Sequence, residues 1–147
     1  MSSPVTIKIK RFDPELPLPE YKSPGAAAMD LCARETTEIP AHSVGYVPLN
    51  IAVQFPEQYW LLVTARSSLH KRGVLLVNGV GVGDSDYCGD DDEYRAALLN
   101  FTNKPVVIER GERIVQMQLL QKTPMQLVEV QELSSQSRGG FGSTGRK

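Results

Sequence analysis

Two turn-rich segments within residues 65–87 carry the side chains best suited to chemistry. The first, Arg66-Ser67-Ser68, follows a short apolar stretch and combines a guanidinium group with two hydroxyls. Such donors, next to free backbone N–H groups at the start of a helical turn, suit a phosphate group. The same three residues would equally serve as a capped surface turn, because serine is a favoured helix N-cap.

The second segment, residues 78–87, places three glycines two residues apart before an acidic and aromatic end. Glycines at this spacing weaken a strand unless its backbone approaches a ligand closely or adopts a positive φ. A nucleobase edge that pairs with strand backbone would be such a ligand, and a flexible hairpin with a solvated tip is the alternative. Asn78 offers an amide, Asp84 a carboxylate that could activate water, and Tyr87 a flat ring.

Alternation of apolar and polar residues predicts short strands along most of the chain. The predicted strands are residues 5–9, 47–55, 59–64, 74–77, 95–101, 105–109, 115–119 and 125–133. One short helix is predicted at 67–72. Many short strands separated by turn residues indicate an all-β fold, either a sandwich, a jelly roll or a barrel. Residues 1–133 then form one domain, and the polar, glycine-rich residues 134–147 form a mobile C-terminal arm.

Composition narrows the possible partners and the compartment. The chain has 147 residues, a formal net charge of -1 and an isoelectric point near 6.1. No polynucleotide partner is expected, because nucleic acids normally require a basic face. No apolar run has the length of a membrane span, so no membrane partner is expected either. Cys32 and Cys88 lack metal-site spacing, which favours free thiols in a cytoplasmic protein.

Five motifs, taken in order, resemble those of the trimeric dUTPase (deoxyuridine 5′-triphosphate nucleotidohydrolase) family. They are PGAAAMDLCA (24–33), ARSSL (65–69), NGVGVGDSDYCG (78–89), RGERIVQMQL (110–119) and RGGFGSTG (138–145). The resemblance implies a distorted jelly-roll subunit in a homotrimer with active sites at the subunit interfaces. It also implies hydrolysis of dUTP to dUMP and pyrophosphate, with Mg²⁺ carried mainly by the triphosphate.

The same resemblance assigns roles to individual residues. Asp84 matches the carboxylate that activates water, and Tyr87 matches the ring that packs under deoxyribose and excludes a 2′-hydroxyl. Asp30 matches an acid that supports the metal environment through water. The residues implied in substrate binding are Arg66, Ser67, Ser68, Asn78, Gly81, Val82, Gly83, Tyr87, Arg95, Gln116, Arg138, Phe141, Gly142 and Ser143.

Three departures from the family pattern stand out. Gly83 occupies a position that usually carries a bulky aliphatic residue, directly before the catalytic aspartate. The acidic run 90–93 is an insertion, expected to be a solvated loop, and it makes Arg95 the best match to a substrate contact on the return strand. Gln136 stands where the tail motif usually has arginine, and Arg138 lies two residues later.

Other functions remain open at this level. dCTP deaminases share the fold, although residues 84–87 and the tail match dUTPases better. A nucleotide-binding regulatory protein that has lost turnover is a second alternative, for which Gly83 is the one hint. A generic β-sandwich binding module is the third.

Overall fold

The computed structural model describes residues 3–145, and these are built almost wholly of β-strands. The strands are β1 (Lys8–Arg11), β2 (Met29–Cys32), β3 (Thr37–Ile39), β4 (Val44–Pro48), β5 (Ile51–Gln54), β6 (Tyr59–Ala65), β7 (Val74–Leu76), β8 (Val80–Gly83), β9 (Arg95–Asn100), β10 (Val106–Ile108) and β11 (Arg113–Gln121). A single-turn 3₁₀ helix spans Leu69–Arg72. The predicted all-β class is confirmed.

Antiparallel pairing joins these strands into small sheets around one core. A four-stranded sheet has the order β2-β11-β6-β8, and a three-stranded sheet has the order β4-β9-β7. Two further pairs are β1 with β5 and β3 with β10. Alternate side chains of β6, β9 and β11 point inward and form a single buried cluster with residues of the other strands. Burial of this apolar surface is the main stabilising contribution.

The predicted strand over residues 47–55 is wrong as a single element. The chain turns between β4 and β5 at Asn50, which has a φ of 68°. The buried Asn50 side chain accepts a hydrogen bond from the Asp13 N–H (2.6 Å) and donates one to the Asp13 carbonyl (3.0 Å). Asparagine tolerates this left-handed conformation better than most residues, so the alternating pattern continues across a turn.

The predicted strand over residues 125–133 is also wrong, because the last strand ends at Gln121. Met125, Leu127 and Leu133 are exposed, with at least 84% of each side chain accessible. Their alternation is that of a strand, yet no strand pairs with them within residues 3–145.

The short helix begins later than predicted. Ser68, rather than Ser67, precedes the 3₁₀ helix, and its side chain makes no capping hydrogen bond. Leu69 is buried in the core, and Gly73 ends the turn with a φ of 81°, a left-handed conformation that glycine adopts without strain. No helix in the described part of the chain is long and apolar enough to cross a membrane.

Candidate active site

Residues 78–87, here called the Asp84 segment, link the two larger sheets. The hairpin given above as the alternative for this segment is not formed with the strand that follows, because β8 pairs with β6 in one sheet while β9 pairs with β4 and β7 in the other. The segment begins with a turn in which the Gly79 N–H donates to the Leu76 carbonyl (3.1 Å). Gly79 has a φ of 67°, so this turn favours glycine.

Strand β8 is the last strand of its sheet. One edge pairs with β6, with Val63 opposite Gly81 and Leu61 opposite Gly83. The other edge has no strand partner among residues 3–145. Unpaired N–H and C=O groups along such an edge are free to bind a planar polar ligand.

A cleft of about 410 Å³, here called the Asp84 cleft, opens beside this edge. Side chains of β6, β7 and β9 complete its walls, including Val63, Leu76 and Ala97. The structure therefore brings together one set of the predicted site residues. They are Asn78, Gly81, Val82, Gly83, Asp84, Tyr87 and Arg95.

The end of the Asp84 segment is a tight turn that presents Asp84 to solvent. The Tyr87 N–H donates to the Asp84 carbonyl (3.2 Å), which fixes the backbone between them. The Tyr87 hydroxyl donates to the Glu93 carbonyl (3.1 Å). Asp84 is exposed in the cleft, where a water molecule can reach its carboxylate.

The acidic run 90–93 is not the fully solvated loop that was expected. Asp92 accepts a hydrogen bond from the Gly89 N–H (2.7 Å). Glu93 is buried, and its carboxylate accepts from Arg34 at 2.7 Å and from the Asn50 N–H at 3.0 Å. The run therefore anchors residues 88–94, here called the return segment, to the turn between β4 and β5.

Tyr94 is a cleft residue that the sequence reasoning missed. It is 8% exposed, lines the Asp84 cleft and packs edge-to-face on Tyr87, with ring centroids 5.4 Å apart. Burial raises the pKa of Tyr94 to about 12, and the nearby Tyr87 and Asp84 act in the same direction. A signal for it existed: Tyr94, Ala96 and Leu98 continue one alternating apolar face, which the predicted strand at 95–101 cut short.

A second cleft, of about 340 Å³, contains the basic turn and is here called the Arg66 cleft. Arg66, Ser67, Gln116 and Asp30 line it. The Asp30 carboxylate lies 3.1 Å from Arg66 Nε and accepts a hydrogen bond from Arg113 Nη1 (2.9 Å). Asp30 thus holds two guanidinium groups in place at the base of the turn.

The surroundings of Ser68 and Gln116 complete this region. Ser68 lines an adjoining depression with Arg66, Lys71, Arg72 and Arg113, and Glu112 in the same depression forms an ion pair with Arg72. Gln116 donates from Nε2 to Thr64 Oγ1 (3.3 Å), which fixes its amide on the outer face of the four-stranded sheet.

The Asp84 cleft and the Arg66 cleft lie on opposite faces of β6. Val63 lines the first and Thr64 lines the second. Consecutive residues of a strand point to opposite faces of its sheet. One chain therefore does not bring the basic turn together with Asp84.

The predicted tail residues meet neither cleft. Arg138, Phe141, Gly142 and Ser143 are all exposed. The hydrogen bonds found over residues 123–145 are local, such as that from the Ser143 N–H to the Gly140 carbonyl (3.1 Å). Arg146 and Lys147 lie outside the described residues.

The carboxylates of this region offer few ligands for a metal ion. Within residues 3–145 no group of three or more His, Cys, Asp or Glu side chains is placed to hold a metal ion. The Asp30 carboxylate already faces two guanidinium groups, which makes it a poor direct ligand. Mg²⁺ commonly binds through one or two carboxylates, waters and substrate phosphates, so these donors fit an ion that arrives with a phosphorylated substrate.

Known proteins with similar sequences belong to one family. A family model described as dUTPase matches residues 14–145. The deoxyuridine 5′-triphosphate nucleotidohydrolase of Dictyoglomus turgidum is 40% identical over 148 residues, which cover 96% of this chain and 99% of that protein.

Solved structures of dUTPases have folds similar to that of this chain. The dUTPase of Streptococcus mutans is similar with a TM-score of 0.73 and 30% identity, over 80% of this chain and 98% of its own. The Staphylococcus bacteriophage 80alpha dUTPase with dUPNHPP has a TM-score of 0.82 at 23% identity, over 96% and 99%. A mutant dUTPase of phage phi11 of S. aureus, described with a structural Mg(II) ion, has a TM-score of 0.77 at 18% identity, over 88% and 99%. From its sequence motifs, its fold and its relatives, this chain belongs to the dUTPase family.

Proposed function

We propose that this chain hydrolyses dUTP to dUMP and pyrophosphate, with water attacking the α-phosphorus. The observation that carries the proposal is the Asp84 cleft, where an unpaired strand edge, an amide and an exposed carboxylate meet. This reaction limits uracil incorporation into DNA and supplies dUMP for thymidylate synthesis.

Base recognition rests on shape and backbone pairing. Uracil presents an acceptor–donor–acceptor edge that the free edge of β8 and the Asn78 amide can match. Gly81 and Gly83 let the base approach the backbone of β8 closely. At that short distance there is little room for a methyl group on the base. Tyr87 packs under the sugar, where it would meet a 2′-hydroxyl. A site that pairs polar groups rejects a mismatched edge far better than one that judges size alone.

The chemical step needs an oriented water and a neutralised triphosphate. Asp84 accepts a proton from the attacking water while the oxygen of that water forms a bond to the α-phosphorus. The bond between the α-phosphorus and the oxygen that bridges it to the β-phosphorus breaks, and pyrophosphate leaves. Arg66, Ser67 and Ser68 bind phosphate oxygens, while Asp30 orients Arg66 and supports the metal environment through water. Mg²⁺ bound with the substrate supplies further charge neutralisation.

A homotrimer is the assembly proposed for this site. The Arg66 cleft and the Asp84 cleft lie on opposite faces of β6, which supports a shared site in which a neighbouring chain supplies the basic turn. The outer face of the three-stranded sheet also carries exposed apolar side chains, including Val44, Tyr46 and Leu75. Such a face is suited to burial against a second copy.

The C-terminal arm is proposed to complete a neighbour's site. The exposed Met125, Leu127 and Val130 would gain from burial on another chain. Residues 134–147 would then reach over the bound nucleotide, with Phe141 against the base and Arg138, Gly142 and Ser143 near the phosphates. A cytoplasmic location is proposed as well, supported by the free thiols of Cys32 and Cys88.

Pyrophosphate release from dUTP, dTTP, dCTP and UTP, with and without Mg²⁺, tests the function. We expect turnover of dUTP in Mg²⁺, a large loss in EDTA, and little turnover of dCTP or UTP. Since thymine has the same polar edge as uracil and differs from it by one methyl group, dTTP is the analogue expected to react most among the others.

Each competing function has its own outcome in this assay. Ammonia released from dCTP would indicate a deaminase. Tight binding of dUTP without pyrophosphate release would indicate a regulatory protein. Comparable turnover of dCTP and dUTP would contradict the proposed base recognition.

The assembly is tested by multi-angle light scattering at assay concentrations. We expect a mass three times that of the 16.2 kDa chain. A single-chain mass in a preparation that turns over dUTP would show that one chain completes the site alone, and the shared-site proposal would then be abandoned.

A further inference from the structure

The ring of Tyr94 lies beneath the Asp84 segment where Gly83 precedes Asp84. A Cβ atom on Gly83 would lie 2.8 Å from Tyr94 Cε1 and 2.9 Å from Cζ, and would also clash with the hydroxyl. Gly83 does not have a positive φ, so its backbone conformation does not require glycine. Position 83 is glycine because the Tyr94 ring fills the room that a side chain would need.

Backbone hydrogen bonds fix Tyr94 in that place. Its N–H donates to the Ile51 carbonyl (2.9 Å), and its carbonyl accepts from the Leu49 N–H (2.9 Å). The neighbouring Glu93 carboxylate is bound by Arg34 and by the Asn50 N–H. The ring therefore rests on the core side of the cleft, and the Asp84 segment must lie over it.

The same ring supports Tyr87. The two ring planes meet at 78° with centroids 5.4 Å apart, an edge-to-face arrangement that is favourable between aromatic rings. The Tyr87 hydroxyl is bonded to the Glu93 carbonyl, so the return segment holds the Tyr87 ring at two points.

The Tyr94 hydroxyl takes part in the contact with Gly83 but makes no hydrogen bond there. It is buried and has no hydrogen-bond partner within residues 3–145. A buried hydroxyl without a partner costs folding free energy, so Tyr94 supports the Asp84 segment by its bulk and not by a hydrogen bond.

We propose that Tyr94 is a positioning residue, which sets Asp84 through Gly83 and sets the sugar-binding ring of Tyr87 by direct contact. The proposal deepens the proposed function and rests on it. In this chain the side chain that supports Asp84 is that of Tyr94 in the return segment, and position 83 contributes none. Gly83 and Tyr94 are thus a matched pair, in which a change at one requires a change at the other.

Turnover of dUTP and UTP by Tyr94→Ala tests the positioning role. We expect kcat/KM for dUTP to fall about 100-fold, because small misplacements of a reacting group cost this much. The preference for dUTP over UTP should fall about 10-fold as the Tyr87 ring loses its support. Tyr94→Phe keeps the ring, so it should keep the preference and raise Tm.

A matched control separates positioning from loss of packing. Tyr59→Ala removes a partly buried tyrosine that packs on the same core at the start of β6, away from the cleft. It should lower Tm without changing the preference for dUTP. If Tyr94→Ala likewise lowers Tm and leaves the preference unchanged, Tyr94 is only a core residue and the inference is overturned.

A larger side chain at position 83 combined with a smaller one at position 94 tests whether Gly83 and Tyr94 act as a pair. Gly83→Val alone should lower Tm and turnover, because it overpacks the ring. Adding Tyr94→Leu should recover most of both losses, and additive losses in the double variant would contradict the pairing. A wild type that releases no pyrophosphate from dUTP would remove the proposed function, whereas an active wild type with additive losses would remove only this inference.

Discussion

Replacing Asp84 with asparagine is expected to slow dUTP turnover by about 10²–10⁴-fold, the usual contribution of a general base. The amide keeps the size of the carboxylate but cannot accept a proton from the attacking water. Asp84 is exposed at the end of the cleft, where neither the unpaired edge of β8 nor the basic turn of Arg66 depends on its charge. Binding of dUTP and trimer assembly should therefore remain.

Single-turnover pyrophosphate release, together with calorimetric titration of dUTP, separates the chemical step from binding. Asp86→Asn is the matched control, because Asp86 lies in the same exposed turn and is not among the residues that line the cleft. It should leave turnover close to the wild-type rate. Turnover of Asp84→Asn at the wild-type rate would refute the assignment and direct attention to Asp86 or Asp30.

Local alternation in the sequence was enough to predict the fold class and many of the strands. It failed where a tertiary contact decided the outcome. Asn50 breaks the apolar run 47–55 because its buried side chain bonds to Asp13, which is distant in sequence. Residues 125–133 alternate as a strand, but no strand within residues 3–145 pairs with them.

Some features of the candidate site could also be predicted from the sequence, and others could not. Residue types and spacing predicted Arg66, Ser67 and Asp84, since glycine spacing and clustered donors are local features. Asp30, Arg95 and Gln116 were predicted only from the family resemblance. Separation of the clefts on opposite faces of β6 could not be predicted, because it depends on which strands pair. The buried Glu93 was missed for the same reason, as its partners Arg34 and Asn50 come from distant parts of the chain. The sequence of an acidic run does not indicate which of its side chains is buried.

Deleting residues 138–147 is expected to lower kcat/KM for dUTP by about 10²–10³-fold, the usual cost of losing a donor to a developing charge. The arm would supply Arg138 and Ser143 to the phosphates and would exclude water other than the nucleophile. The loss should appear in turnover rather than in folding, because the residues of the arm that the structure describes are exposed and have only local hydrogen bonds.

Substitutions within the arm show whether this loss comes from its motif or from its length. Phe141→Ala should reproduce part of the loss, since Phe141 is fully exposed and its ring has no structural role in the single chain. Ser134→Ala with Ser135→Ala changes the same arm outside the motif and should have little effect. Tm and the light-scattering mass of every variant should match the wild type, because the sheets end at Gln121. If the truncated protein hydrolyses dUTP at the wild-type rate, the arm is no lid and both clefts must be closed by the sheets alone.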